Sequence, residues 1–148
     1  MDRGSLPILK IAMTCEFCEQ TGGRLLWQNE RCRIVLVEDP DYPGFCRVIW
    51  KHHVREMTDL SKRDRAHFMS IVFATEESLR ATMQPDKINL ASLGNMTPHL
   101  HWHVIPRVVD DKHFPGPIWG PVKRQSPSRN FANGLADRLG TALLIRLA

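Results

Sequence analysis

The chain has 148 residues, about one domain's worth, and at 43% hydrophobic and 24% charged it holds enough apolar material to bury a core, so disordered, collagen-like and low-complexity classes are excluded. The net charge of +4 sits in the tail: residues 1–119 carry 15 charges of each sign, while 120–148 carry Lys123, Arg124, Arg129, Arg138 and Arg146 against Asp137 alone. Five dispersed charges without interleaved aromatics read as a solvated helix face rather than a nucleic-acid surface. No apolar run exceeds four residues, against the ~20 of a membrane helix, and the opening MDRGSLPILKIAM lacks the apolar stretch of a signal peptide, so a cytoplasmic protein is expected.

In chain order, Leu25 to Trp27 and Arg33 to Glu38 read as strands separated by a polar turn at Gln28 to Arg31. The cluster Asp39-Pro40-Asp41-Tyr42-Pro43-Gly44 is a turn, and Phe45 to Lys51 resumes as a strand. From Ser61 to Met83 the period changes. Phe68, Ile71, Val72, Leu79 and Met83 mark one face of a helix, with Ser61 and Asp64 at its start spaced as a capping box. Lys87 to Leu93 and His99 to Pro106 are a strand pair across the loop Gly94 to Pro98. The proline-rich stretch Phe114 to Pro121 is an arm that continues neither ladder nor helix, and a final helix is expected over Arg129 to Leu147, with Phe131, Leu135, Leu139 and Leu143 along one side. Strands, a helix, more strands and a last helix without βαβ rhythm predict an α+β fold around an antiparallel sheet, with residues 1–148 as a single domain.

Seven histidines are present, three of them at His99, His101 and His103. Random placement gives such a row only about 0.015 times per chain, and on a strand alternate residues share a face, with Leu100, Trp102 and Val104 turned to the core. Solvated or packed histidines are the bland account. Chemically, a row of imidazoles can ligate a metal, or one ring can attack while its neighbours hold charge and orientation. A neutral imidazole is a nucleophile near physiological pH if its other nitrogen is fixed by an acceptor. Cys15 and Cys18 form a separate Cys-x-x-Cys pair able to offer two thiolates from one turn, whereas Cys32 and Cys46 fall in strands as small buried hydrophobes.

The stretch His99-Leu100-His101-Trp102-His103-Val104-Ile105-Pro106-Arg107 resembles the signature of the histidine triad (HIT) family of nucleotide hydrolases and transferases. Cys15-Glu16-Phe17-Cys18, Pro43-Gly44 before Val48-Ile49-Trp50-Lys51, and the long central helix agree with it, so the resemblance spans about residues 15–119 and leaves 120–148 as a basic arm and helix. It implies a HIT-like fold with a sheet of about five antiparallel strands, usually in a homodimer. It also implies cleavage at the α-phosphate of a nucleotide, in the manner of diadenosine tetraphosphate hydrolase-like proteins. Carried over, His101 is the nucleophile that forms a nucleotidyl-histidine, His103 binds a non-bridging phosphate oxygen, and His99 supports the row, with no cofactor needed for catalysis. The resemblance further implies a structural zinc held by Cys15, Cys18, His53 and His99; the alternative is a pair of reduced cysteines in a loop.

The chain also departs from the family. Phe45 stands where many members have a histidine, and Gly94-Asn95-Met96 replaces a Gly-Gln-Ser or Gly-Gln-Thr, removing a hydroxyl. Asn95, Lys51 and Arg107 are candidate substrate contacts, the two cations by attraction to phosphate or, blandly, as strand-end charges. Trp119 on the arm is placed either over the site or in simple packing, and His67 and His113 receive no role. Phe45 and Met96 keep open a catalytically weak nucleotide-binding or interaction protein, and a hydrolase with a catalytic zinc on the three triad histidines is a third reading, distinguished by sensitivity to chelators.

Overall fold

The alternating β-branched and aromatic runs become strands in the computed structural model, which describes residues 14–127, 131 and 133–148. β1 (Arg24–Gln28), β2 (Cys32–Leu36), β3 (Cys46–Trp50), β4 (Lys87–Ala91) and β5 (His101–Arg107) form one antiparallel sheet in the order β1-β2-β3-β5-β4. This is the predicted α+β architecture, strand number included. Because β5 inserts between β3 and β4, Ile49 lies opposite His101 and Arg47 opposite His103.

Among the described residues three α-helices join the sheet, α1 (Glu16–Glu19), α2 (Lys62–Met83) and α3 (Leu135–Leu147), with a short 3-10 turn at Met57–Asp59. On one side of the sheet, Ile34, Val48, Trp50, Leu100 and Val104 pack with Phe68, Ile71, Val72 and Leu79 of α2 and Leu139 and Leu143 of α3. Phe68 is wholly buried, so truncation to alanine would cost about 3–5 kcal/mol. Cys32 and Cys46 are 1% exposed, and burial pushes both thiols up to about 12, which makes them the inert hydrophobes expected. The opposite face carries the histidines.

Local chemistry explains where elements begin and end. Ser61 Oγ accepts the Asp64 N–H at 3.1 Å, but only half of the expected capping box forms, because the Asp64 carboxylate turns to Arg31 at 3.3 Å. Gln84, left-handed at φ 51°, ends α2 just before Pro85. Gly44 sits at φ 84° with Met83 and Pro106 against its α-carbon, so the turn into β3 admits no side chain there.

Several boundaries differ from the sequence expectation. β4 stops at Ala91 rather than Leu93. β5 starts at His101 because Leu100 gives its N–H to Val54 and its carbonyl to Trp50, leaving His99 just ahead of the ladder. α3 starts at Leu135, after Gly134 at φ 97°; Phe131 therefore precedes it, and the expected start at Arg129 lies outside the described residues. The one-turn helix α1 is absent from the sequence reading, since four residues give no period to detect.

Candidate active site and metal centre

His99, His101 and His103 come together on one face, with the rings of His101 and His103 4.8 Å apart between centroids and edge to face. All three are nearly buried, at 1%, 5% and 7% exposure. Backbone carbonyls assign two of the tautomers, because a carbonyl can only accept. The His101 Nδ1–H donates to the His99 carbonyl at 2.6 Å, which leaves Nε2 as a free base. The His99 Nε2–H donates to the Trp50 carbonyl at 2.6 Å, which leaves Nδ1 with its lone pair.

Burial disfavours the imidazolium in each ring. His101 is held below the usual histidine value by burial and the Arg47 charge, against the opposing pull of the His99 carbonyl and Glu16. His103 is pushed down to about 3 by burial, with His101 and Arg47 adding to it, and its buried Nδ1 has no hydrogen-bond partner among the described residues. The row is therefore neutral at pH 7, and a neutral ring is the nucleophilic form.

His101 and His103 open onto a cavity of about 470 Å³, large enough for a nucleotide-sized ligand. Asn95, Met96 and Thr97 of the loop before β5 form one wall, Glu16 and Phe17 of α1 another, and Trp119 of the proline-rich arm a third. The Phe17 ring meets His101 edge-on at 4.9 Å, and Trp119 meets His103 at 5.1 Å, so the arm does lie over the row. Phe45 stands 5.5 Å from His103 and packs with Tyr42 and Ile105, while Met96 is 97% exposed.

Beside this cavity, Cys15, Cys18, His53 and His99 bring four ligand atoms within 4.8 Å of one another. Cys15 Sγ is 3.2 Å from His99 Nδ1, Cys18 Sγ 3.5 Å from His53 Nδ1, and the two Nδ1 atoms are 3.3 Å apart. Tetrahedral zinc with bonds of 2.0–2.3 Å separates its ligands by roughly 3.3–3.8 Å, so the donor set and its spread fit that ion. The lone pair of His99 Nδ1 points at the cluster because Nε2 is committed to Trp50, the outer contact that fixes a ligating imidazole. Of the adjacent pair His52 and His53, the structure brings His53 to the thiols.

Two of the expected substrate contacts lie elsewhere. Arg107 is 2% exposed and fully engaged: it grips Asp111 bidentately at 2.6 and 2.9 Å and donates to Asn89 Oδ1 and the Gly116 carbonyl, each at 2.7 Å. It does not line the triad cavity and is a structural ion, because its burial demands partners that phosphate cannot supply from outside. Lys51, exposed just past the end of β3, is not among the residues that line that cavity either. Asn95 does line that cavity. Sequence reasoning missed Arg47, Glu16 and Phe17, of which the first is visible only through the β3–β5 register and the others only through α1.

A comparison with known proteins agrees with this geometry. The HIT domain family matches residues 19–109. A solved histidine triad protein from Sinorhizobium meliloti 1021 superposes with a TM-score of 0.70 at 24% identity, covering 90% of this chain and 96% of its own. One from Marinobacter aquaeolei VT8 gives 0.69 at 26% identity with the same coverage. A zinc-bound histidine triad family protein from Mycobacterium smegmatis gives 0.63 at 19% identity, again covering 90% and 96%. No curated protein matches the chain. With the triad on one strand face, the sheet order and the match over residues 19–109, this chain belongs to the HIT domain family.

Proposed function

We propose that the chain is a nucleotide hydrolase or nucleotidyl transferase acting at the α-phosphate of a dinucleoside polyphosphate, such as diadenosine tetraphosphate, or of a nucleoside phosphoramidate. The observation that carries this is the His101 Nδ1–H donated to the His99 carbonyl, which leaves Nε2 free beside a nucleotide-sized cavity. The Nε2 lone pair forms a bond to phosphorus, and the bond from phosphorus to the leaving oxygen or nitrogen breaks. The leaving group departs with that electron pair, a polyphosphate as its anion and an amine after taking a proton from solvent. As the bond forms, the His101 ring becomes positive, and its Nδ1–H bond to the His99 carbonyl strengthens. Water then cleaves the phosphorus–nitrogen bond, releasing the nucleoside monophosphate and the free ring. Trp119 and Phe17 keep bulk water from the row during both steps.

In the same reading Cys15, Cys18, His53 and His99 hold a structural zinc, as the fit of the four donors and the zinc-bound relative support. The bound ion supplies a cross-link between α1 and the start of β5. The opposing arrangement of a catalytic metal on the triad is disfavoured, since the free Nδ1 of His99 is aimed at Cys15, Cys18 and His53 rather than at the other two triad rings.

The test is phosphorus NMR of the protein with diadenosine tetraphosphate and, separately, adenosine phosphoramidate. AMP is expected from wild type, and Arg or Ala in place of His101 is expected to lower turnover roughly 10³-fold or more while the fold survives. An active His101→Ala protein would overturn the covalent route. Phe45 and Met96 support the second reading, a nucleotide-binding protein with weak turnover, which predicts AMP binding without product over hours.

A further inference from the structure

One cationic side chain on the wall of the triad cavity has no carboxylate in ion-pair contact among the described residues. Arg47 projects from β3 on the histidine face, opposite His103 in the ladder. Its guanidinium carbon lies 5.5 Å from the centre of the Phe17 ring and 5.8 Å from that of Phe45, so two aromatic faces fix its plane. Nη1 donates to the Gly22 carbonyl at 2.9 Å, while Nε is buried with no hydrogen-bond partner among the described residues. Among the described residues no carboxylate forms an ion pair with it within 4.0 Å, in contrast to Arg107, whose Nε lies 2.6 Å from Asp111. Glu16 stands across the same cavity and offsets part of its field.

A half-buried guanidinium that is always charged, held in place and short of partners, has an unmet demand for an anion. The other donors on its described wall, the Asn95 amide, the Thr97 hydroxyl and the neutral triad rings, carry no charge, and Met96 offers only a thioether. Phe45, beside His103, offers only a ring. We propose that Arg47 is the phosphate anchor of this cavity: its guanidinium binds a non-bridging oxygen of the nucleotide's phosphoryl group beside His103, where Phe45 and Met96 present no polar hydrogen. A planar fork suits a phosphate as it suits a carboxylate, and Phe45 serves the arrangement by supporting the fork. The inference rests on the nucleotide reading of the site and names the group that recognises the charge of that nucleotide.

The experiment measures binding rather than turnover, by isothermal titration calorimetry of the full chain with adenosine and with AMP. Wild type is expected to bind AMP roughly tenfold or more tighter than adenosine. Arg47→Gln is expected to bring the two affinities within about twofold by weakening AMP alone, the change of one lost charge-assisted contact. Arg47→Lys keeps the charge and loses the fork, so it retains part of the preference. Circular dichroism melts establish that each variant is folded. A folded Arg47→Gln protein with the wild-type preference overturns the anchor, as does a wild type that binds adenosine and AMP equally. If Arg47→Gln does not fold, Arg47→Lys decides, and its keeping the whole preference overturns the anchor. Wild type that binds neither ligand removes the nucleotide reading and this inference together. If the preference collapses in Arg47→Gln but no substrate is hydrolysed by wild type, the anchor stands and the hydrolase reading falls.

Discussion

The histidine face of β5 ends in two polar clusters that solve the same problem differently. At one end Arg107 is buried with every demand met inside the chain: Asp111 takes the fork and also accepts the N–H groups of His113 and Phe114, while Asn89 and Gly116 complete the guanidinium. At the other end His99, buried to a similar degree, has Nε2 satisfied by Trp50 but aims Nδ1 at two thiols and a second imidazole, a donor set that could hold a cation. A closed polar cluster is architecture, whereas an open one marks a ligand. Between them His101, His103 and Arg47 form a third cluster, left open toward the cavity.

The closed end should show the larger stability effect. Arg107→Met strands the Asp111 carboxylate in a buried site, and losing one partner of such a pair costs about 3–5 kcal/mol. Urea unfolding is the measurement. A folded Arg107→Met protein of wild-type stability that has lost AMP affinity would reverse the comparison and restore Arg107 to the substrate.

At the open end the proposed zinc would supply the missing partner, and its effect would depend on concentration. Zinc at a hundredfold over its dissociation constant is expected to add about 2.7 kcal/mol to stability, with one ion per chain by metal analysis. Cys15→Ser or Cys18→Ser should abolish both, by removing a thiolate ligand. If added zinc moves neither the melting temperature of wild type nor its metal content, the cysteines are a reduced loop pair and the end is closed by its own hydrogen bonds.

The sequence made the open end legible and hid the closed one, for a physical reason. The triad and Cys-x-x-Cys are local patterns, set by the two-residue period of a strand and the reach of one turn, and the five strands and α2 were readable from the same periods. Arg107 read either as a phosphate contact or as a strand-end charge, and its fate is decided by Asp111 and Gly116 folding back from the arm and by Asn89 across the β4–β5 ladder. Arg47 escaped for the converse reason. Nothing in Phe45-Cys46-Arg47 announces a cavity until β3 is laid beside β5 in the register that sets Arg47 against His103.

Acid separates the closed end from the cluster between the ends by smaller effects. Burial works to raise the Asp111 carboxyl, but the Arg107 fork and the His113 and Phe114 N–H groups overcome it and hold it down at about 2, against 3.8 for a free side chain. Its contribution to stability is therefore intact above pH 3.8 and is lost as the pH falls toward 2. His103 works in a higher window. Unfolded, it takes up a proton near pH 6.5, while folded, with His101 and the Arg47 cation beside it and Phe45 and Trp119 against its ring, it resists protonation down to about 3. The unfolded state thus holds more protons between those values, and stability falls with acidification by at most about 1.4 kcal/mol per pH unit for this one group. Unfolding free energies of wild type and His103→Asn between pH 6.5 and 4 isolate it, since Asp111 is still ionised in both proteins. The wild-type slope should be the steeper, and equal slopes would mean that His103 takes up its proton in the folded chain as readily as in the unfolded one, so that the triad cavity is wetter than its burial implies.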